Sequence, residues 1–102
     1  MRVMLKFTIP TTEESNSLIR DGRIEQTMET ILGNLQPEAA YFGPIDGKRG
    51  GYLVFNMEEA SDSVTKLEPF WLELGATIET VPVMSADDLR AGLQRLRETA
   101  QR

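Results

Sequence analysis

The chain has no cysteine and no histidine. Thiolate nucleophiles, disulfides, zinc–thiolate sites, imidazole general bases and His-ligated haem or metal are therefore excluded. A metal would need clustered carboxylate oxygens, and no such spacing occurs, so neither metal nor cofactor is expected. Long apolar runs are missing too. Met1-Arg2-Val3-Met4-Leu5-Lys6 breaks off at a lysine, short of a signal peptide and far short of the roughly twenty apolar residues of a membrane span. No membrane association is expected, and the cytoplasm is the default location. Basic charge is also scarce, with 11 Lys and Arg against 16 Asp and Glu, a net charge of −5. The basic residues form no stripe, so attraction to nucleic acid or to anionic lipid is not expected.

What is present is ordinary for a folded protein: 40% apolar and 26% charged residues. The 102 residues suffice for a single domain, 1–102, with a thin core that a subunit interface would supplement.

Residues 3–9 alternate, with Val3, Leu5, Phe7 and Ile9 on one side and Met4, Lys6 and Thr8 on the other; this period of two predicts a half-buried strand. Thr11 and Glu14 are spaced as a capping box. The helical pattern that follows is in two pieces: Leu18 and Ile19 lie off the stripe of Ile24, Met28, Ile31, Leu32 and Leu35, and Asp21-Gly22 marks a joint. The main helix is expected over 23–35. Short strands are predicted from Ala39 to Gly43 and from Tyr52 to Met57, around a turn-rich segment centred on Asp46-Gly47. Asn56, with Glu59 reaching back, is a candidate cap for a helix whose apolar face is Ala60, Val64, Leu67, Trp71 and Leu74. Pro69 predicts a kink or a restart in that helix, and Gly75 its end. A fourth strand from Thr77 to Val83 contains Pro82, which suits an edge. Ser85 to Asp88 cap a last helix carrying Leu89, Leu93 and Leu96; Gly92 weakens it by about 1 kcal/mol relative to alanine, so it is expected to depend on docking. Arg95, Arg97 and Arg102 suit its C-terminus.

This order is βαββαβ plus an extra C-terminal helix. Right-handed crossovers turn it into a ferredoxin-like α+β fold, an antiparallel sheet in the order 4-1-3-2 with both crossover helices on one face. The most apolar parity of each strand then faces the helices: Val3, Leu5, Phe7, Ala40, Phe42, Leu53, Phe55, Ala76 and Ile78. The opposite face carries Met4, Lys6, Thr8, Tyr41, Tyr52, Val54, Asn56, Thr77, Glu79 and Val81. That set is too apolar for a simple solvated face and suits a sheet-to-sheet homodimer with a partly wet interior.

Three stretches carry a resemblance: Pro37-Glu38-Ala39-Ala40-Tyr41-Phe42, Glu68-Pro69-Phe70-Trp71-Leu72, and the segment from Val81 to Leu89. They resemble a family of uncharacterised bacterial proteins of about this length within the dimeric α+β barrel superfamily. The resemblance implies a dimer with a cavity between sheet and helices and transfers no active site. The superfamily includes muconolactone isomerases, cofactor-free quinol and anthrone monooxygenases, and haem-degrading enzymes. Members that depend on a histidine are no guide to this chain.

On the open face, Lys6, Tyr41, Tyr52, Asn56 and Glu79 are the candidate ligand-binding residues. The tyrosines supply flat apolar surface with orienting hydroxyls. Lys6 and Glu79, on neighbouring strands, form either a proton-transfer pair or a structural ion pair. Trp71 is either pocket lining or core. Gly47-Lys48-Arg49-Gly50-Gly51 lacks the Walker pattern and a following helix, so it reads as a hairpin whose Arg49 is positioned to close over a cavity mouth. The acidic pairs Glu13-Glu14, Glu58-Glu59 and Asp87-Asp88 sit at helix starts, where the dipole accounts for them. Three functions follow as expectations: a dimeric binder of a small apolar or aromatic metabolite in a cavity on the open sheet face, a cofactor-independent isomerase or monooxygenase, or a structural or regulatory dimer without ligand. Whether the chain is an enzyme is left open by its residues.

Overall fold

A computed structural model describes residues 1–101; Arg102 lies outside the described residues. The opening alternation becomes strand β1 (Arg2–Ile9), with Val3, Leu5, Phe7 and Ile9 buried. Helices α1 (Glu13–Arg20) and α2 (Arg23–Leu35) meet at Gly22, whose φ of 79° is the left-handed conformation that glycine supplies. The cap of α1 is Thr12, not Thr11: its hydroxyl accepts from the Ser15 amide at 3.3 Å. The helix starts at Glu13, which puts Thr12 at the N-cap and leaves Glu14 no reciprocal role.

Strands β2 (Ala39–Ile45) and β3 (Lys48–Asn56) run further towards their turn than the composition suggests. Asp46 and Gly47 both have positive φ, 53° and 76°, as a two-residue type I′ hairpin turn requires. The glycines that look like loop are strand residues kept small by close approach. A Cβ at Gly50 would stand 2.3 Å from the Phe7 carbonyl oxygen, and one at Gly51 2.7 Å from that of Tyr41.

Helix α3 (Asp62–Leu74) departs from expectation in its cap and in its buried stripe. Asn56 does not cap it. The β3 ladder claims Asn56, which pairs with Arg2, and its Oδ1 accepts from the Met1 amino group at 3.0 Å. Asp62 orders the entry instead, its Oδ2 accepting from the Glu58 and Glu59 amides at 3.0 and 3.1 Å. The buried stripe is Leu67, Phe70 and Leu74, while Val64 and Trp71 are exposed. The helix runs on through Pro69 without restarting. It has no N–H for the Thr65 carbonyl, and Asn34 Nδ2 of α2 donates to that oxygen at 2.6 Å. Lys66 Nζ returns the contact, donating to the Asn34 and Leu35 carbonyls at 3.5 and 3.4 Å at the end of α2.

Strand β4 (Thr77–Pro82) completes one antiparallel sheet ordered β2-β3-β1-β4, with Pro82 on an edge strand, as the topology argument requires. This is the ferredoxin-like α+β layout. The core lies between α2 and α3 and one sheet face, with Leu5, Leu53, Phe55, Phe70, Ile31 and Leu35 almost wholly enclosed.

Helix α4 (Ala86–Ala100) behaves differently. Its start is well made: Ser85 Oγ accepts from the Asp88 amide at 3.1 Å, and the Ser85 amide donates to Asp88 Oδ2 at 3.2 Å. The bonds from the Ser85 backbone and side chain, aided by the Arg2 guanidinium at 3.5 Å, hold the Asp88 carboxyl below the usual carboxylate range. Yet none of its residues is buried, and Leu89, Leu93 and Leu96 are 49%, 50% and 64% exposed. The described chain is 62 Å long and 17 Å thin, with a radius of gyration of 17.1 Å, where about 13 Å is usual for 100 residues.

Candidate functional site

Strand register places the open-face residues in straight rows across the sheet. Tyr41 pairs with Tyr52, Tyr52 with Lys6, and Lys6 with Glu79. Four of the five candidates therefore form one continuous row from the β2 edge to the β4 edge, about 14 Å wide at the usual strand spacing. The adjacent row, Ala39–Val54–Met4–Val81, is wholly apolar. Asn56 stands one row beyond that, opposite Arg2. None of the ten open-face residues is buried; Tyr41 is 73% and Tyr52 42% exposed.

Lys6 and Glu79 are directly opposite, but no ion pair joins them. Lys6 Nζ instead reaches Asp46 Oδ2 in the hairpin turn at 3.7 Å. The two cross-strand partners share a small polar hollow of about 170 Å³ with Thr8, Asp46, Lys48 and Thr77. The positively charged Lys6 and Lys48 there face Asp46 and Glu79, so the hollow is close to charge-balanced and suits water or a small polar group.

The larger apolar hollow lies on the other side of the sheet. A groove of about 620 Å³ runs between the β2–β3 hairpin, β1 and the α1–α2 joint, lined by Phe7, Ile9, Ile19, Ile24, Met28 and Phe42, with Lys48 and Arg49 at its rim. Phe42, 55% exposed, leans edge-on against Phe7 with ring centroids 6.2 Å apart, and both rings sit over the space that Gly51 leaves free. Arg49 Nη1 donates to Asn16 Oδ1 on α1 at 2.9 Å, so the side chain bridges hairpin and helix beside the groove. Ile19, Ile24 and Met28 were not among the candidate site residues. The available signal was Ile19, an apolar side chain off the α2 stripe with no assigned partner.

A second trough, about 770 Å³, separates α1 from the end of α3; it contains Trp71 but also Glu13, Glu14, Glu73 and Arg23. Its charged walls make it a solvated surface feature. Trp71, 44% exposed there, is neither core nor part of the open face. Among the described residues no group of three or more acidic side chains is placed to hold a metal ion, and no helix is long and apolar enough to cross a membrane.

No family model matches the chain, and no curated protein matches it. Among solved structures it is similar to a de novo designed protein, Ferredog-Diesel, at 9% identity and a TM-score of 0.44 over 80% of this chain and 85% of that one.

Proposed function

We propose that the protein is a homodimer, joined through its open sheet face, that binds a small and mainly apolar or aromatic molecule in the groove between sheet and helices. The groove carries this reading. Six apolar side chains line a space that a domain of this size would ordinarily fill, with two cations at its rim. Arg49 suits an anionic substituent on an otherwise flat ligand. The half-exposed Tyr52 and the apolar row beside it support the open face as the joining surface, as does the resemblance to dimeric α+β barrel proteins. The row of Tyr41, Tyr52, Lys6 and Glu79 favours a second seat, since dimerisation would enclose these residues and turn them into the lining of an interior.

Titration with 2-naphthoate, followed by chemical shifts of the Met28 methyl and of backbone amides, tests the reading. Saturable shifts confined to the groove are expected, together with their loss in Ile24→Trp, which fills it. Shifts confined to the Tyr41–Glu79 row would move the seat to the open face. An absence of saturable shifts up to millimolar ligand would sink the binding function for this chemical class.

A further inference from the structure

We infer that α4 is an exchanged arm: its Leu89–Leu93–Leu96 stripe packs across the open sheet face of a second copy of this chain, on the apolar row of Met4, Val54 and Val81. The inference rests on the homodimer reading above and adds what covers the face.

Leu89, Leu93 and Leu96 follow a spacing of four and three, which aligns them on one side of α4. All three are half-exposed or more. A helix of this length is marginal in water by itself, and Gly92 weakens it further. The capping box at Ser85 and Asp88 stabilises only the first turn, so the remaining turns need a surface to pack on.

That surface is not the arm's own domain. The Val83 amide donates to the Arg2 carbonyl at 3.0 Å, extending the β4 ladder by one bond, and Arg2 also holds Asp88. The helix is thus launched from the sheet edge in a fixed direction. It ends with no buried residue in a molecule 62 Å long.

A second copy supplies what is lacking. The apolar row crosses all four strands and has no cover of its own. Its width, about 14 Å at the usual strand spacing, accommodates the stripe, about 10 Å from Leu89 to Leu96 at the helical rise per residue. With Asp87, Asp88 and Glu98 against Arg90, Arg95 and Arg97, α4 is net neutral while the chain as a whole is acidic at −5, so no like-charge repulsion opposes its seating on a second copy. A two-fold axis uses each arm and each face once per copy, which closes the assembly at two.

The absence of native cysteine makes the test clean. Sedimentation equilibrium would give the dimer dissociation constant for the full chain, for L93D/L96D on the arm and for V54D on the sheet face. Both variants are expected to weaken dimerisation roughly 100-fold. Circular dichroism would confirm that each is still folded, since Leu93 and Leu96 are exposed and Val54 is only partly covered. Mixing full chains carrying Leu93→Cys and Val54→Cys with a short bis-maleimide should yield a 93–54 link between copies. If V54D weakens the dimer while L93D/L96D does not, and no 93–54 link forms, the arm is overturned and the sheet-face dimer stands. Links between two Leu93→Cys chains, without 93–54 links, would overturn the seat on the sheet. A chain that stays monomeric at 100 µM overturns both readings.

Discussion

The contact between Asn34 and the Thr65 carbonyl gives the sharpest test of how this fold tolerates a proline inside α3. Pro69 removes the donor that would satisfy Thr65, and Asn34 Nδ2 replaces it at 2.6 Å from another helix. Asn34→Ala deletes that donor. The site is exposed, so water can reach the freed carbonyl, and the loss is that of an ordinary hydrogen bond, about 1 kcal/mol. For a domain of this size that corresponds to a fall of roughly 4–8 °C in Tm. In a Pro69→Ala background the helix recovers its own N–H at position 69, and the Thr65 carbonyl no longer needs Asn34. The cost of Asn34→Ala should then fall to a few tenths of a kcal/mol, giving a coupling energy of about 0.5–1 kcal/mol between two residues on different helices. Urea denaturation of the four chains measures the cycle. If Asn34→Ala costs the same in both backgrounds, Asn34 is not standing in for the missing donor, and the unbroken helix needs another cause.

Phe70→Ala should cost about 3–5 kcal/mol, because Phe70 is 0% exposed and packs on Phe7 with ring centroids 5.5 Å apart. Trp71→Ala, at a half-exposed neighbour, should cost well under that; equal losses in chemical denaturation would contradict the observed helix rotation. Asp88 is held below its ordinary carboxylate value by Ser85 and Arg2. Its contribution is therefore present above the unfolded-state value near 4 and is lost as pH falls through the lower folded value. Helicity of α4, followed by amide shifts of Leu89 to Leu93, should accordingly fade below about pH 4, and Asp88→Asn should remove that pH dependence. An acid transition unchanged by Asp88→Asn would refute the assignment.

Local pattern made much of the architecture legible. Strict alternation in Val3–Ile9, the Asp21-Gly22 joint and Gly75 after Leu74 each act through neighbours in sequence, and each is found where the pattern puts it. Pro82 marked an edge strand because a missing ladder donor is tolerated only there. Misplaced features involve competition between distant segments. Asn56 is a good cap in isolation, but β3 pairing with Arg2 takes it first. Trp71 and Phe70 are adjacent, and only the crossing of α3 over the sheet selects which of them is buried. Gly50 and Gly51 suggest a loop until the approach of Phe7 and Tyr41 shows why side chains are excluded from a strand there.

The candidate site divides in the same way. Parity alone put Lys6, Tyr41, Tyr52 and Glu79 on one face, because a strand's side chains alternate whatever surrounds it. Register, which depends on how four separate strands pair, set them in a single row with Glu79 opposite Lys6, while the hairpin turn brought Asp46 rather than Glu79 into ion-pair reach of the Lys6 ammonium. The helix-side groove left only Ile19 as a signal in the chain, since Phe42, Ile19 and Met28 come together only when the hairpin and the α1–α2 joint close on β1. The sequence by itself determined the element order, the sheet topology and the excluded chemistries, because these follow from residue type and local period. Tertiary structure alone decided the groove, the donor for Thr65 and the uncovered leucines of α4, because each depends on which surfaces meet and which are left without a partner.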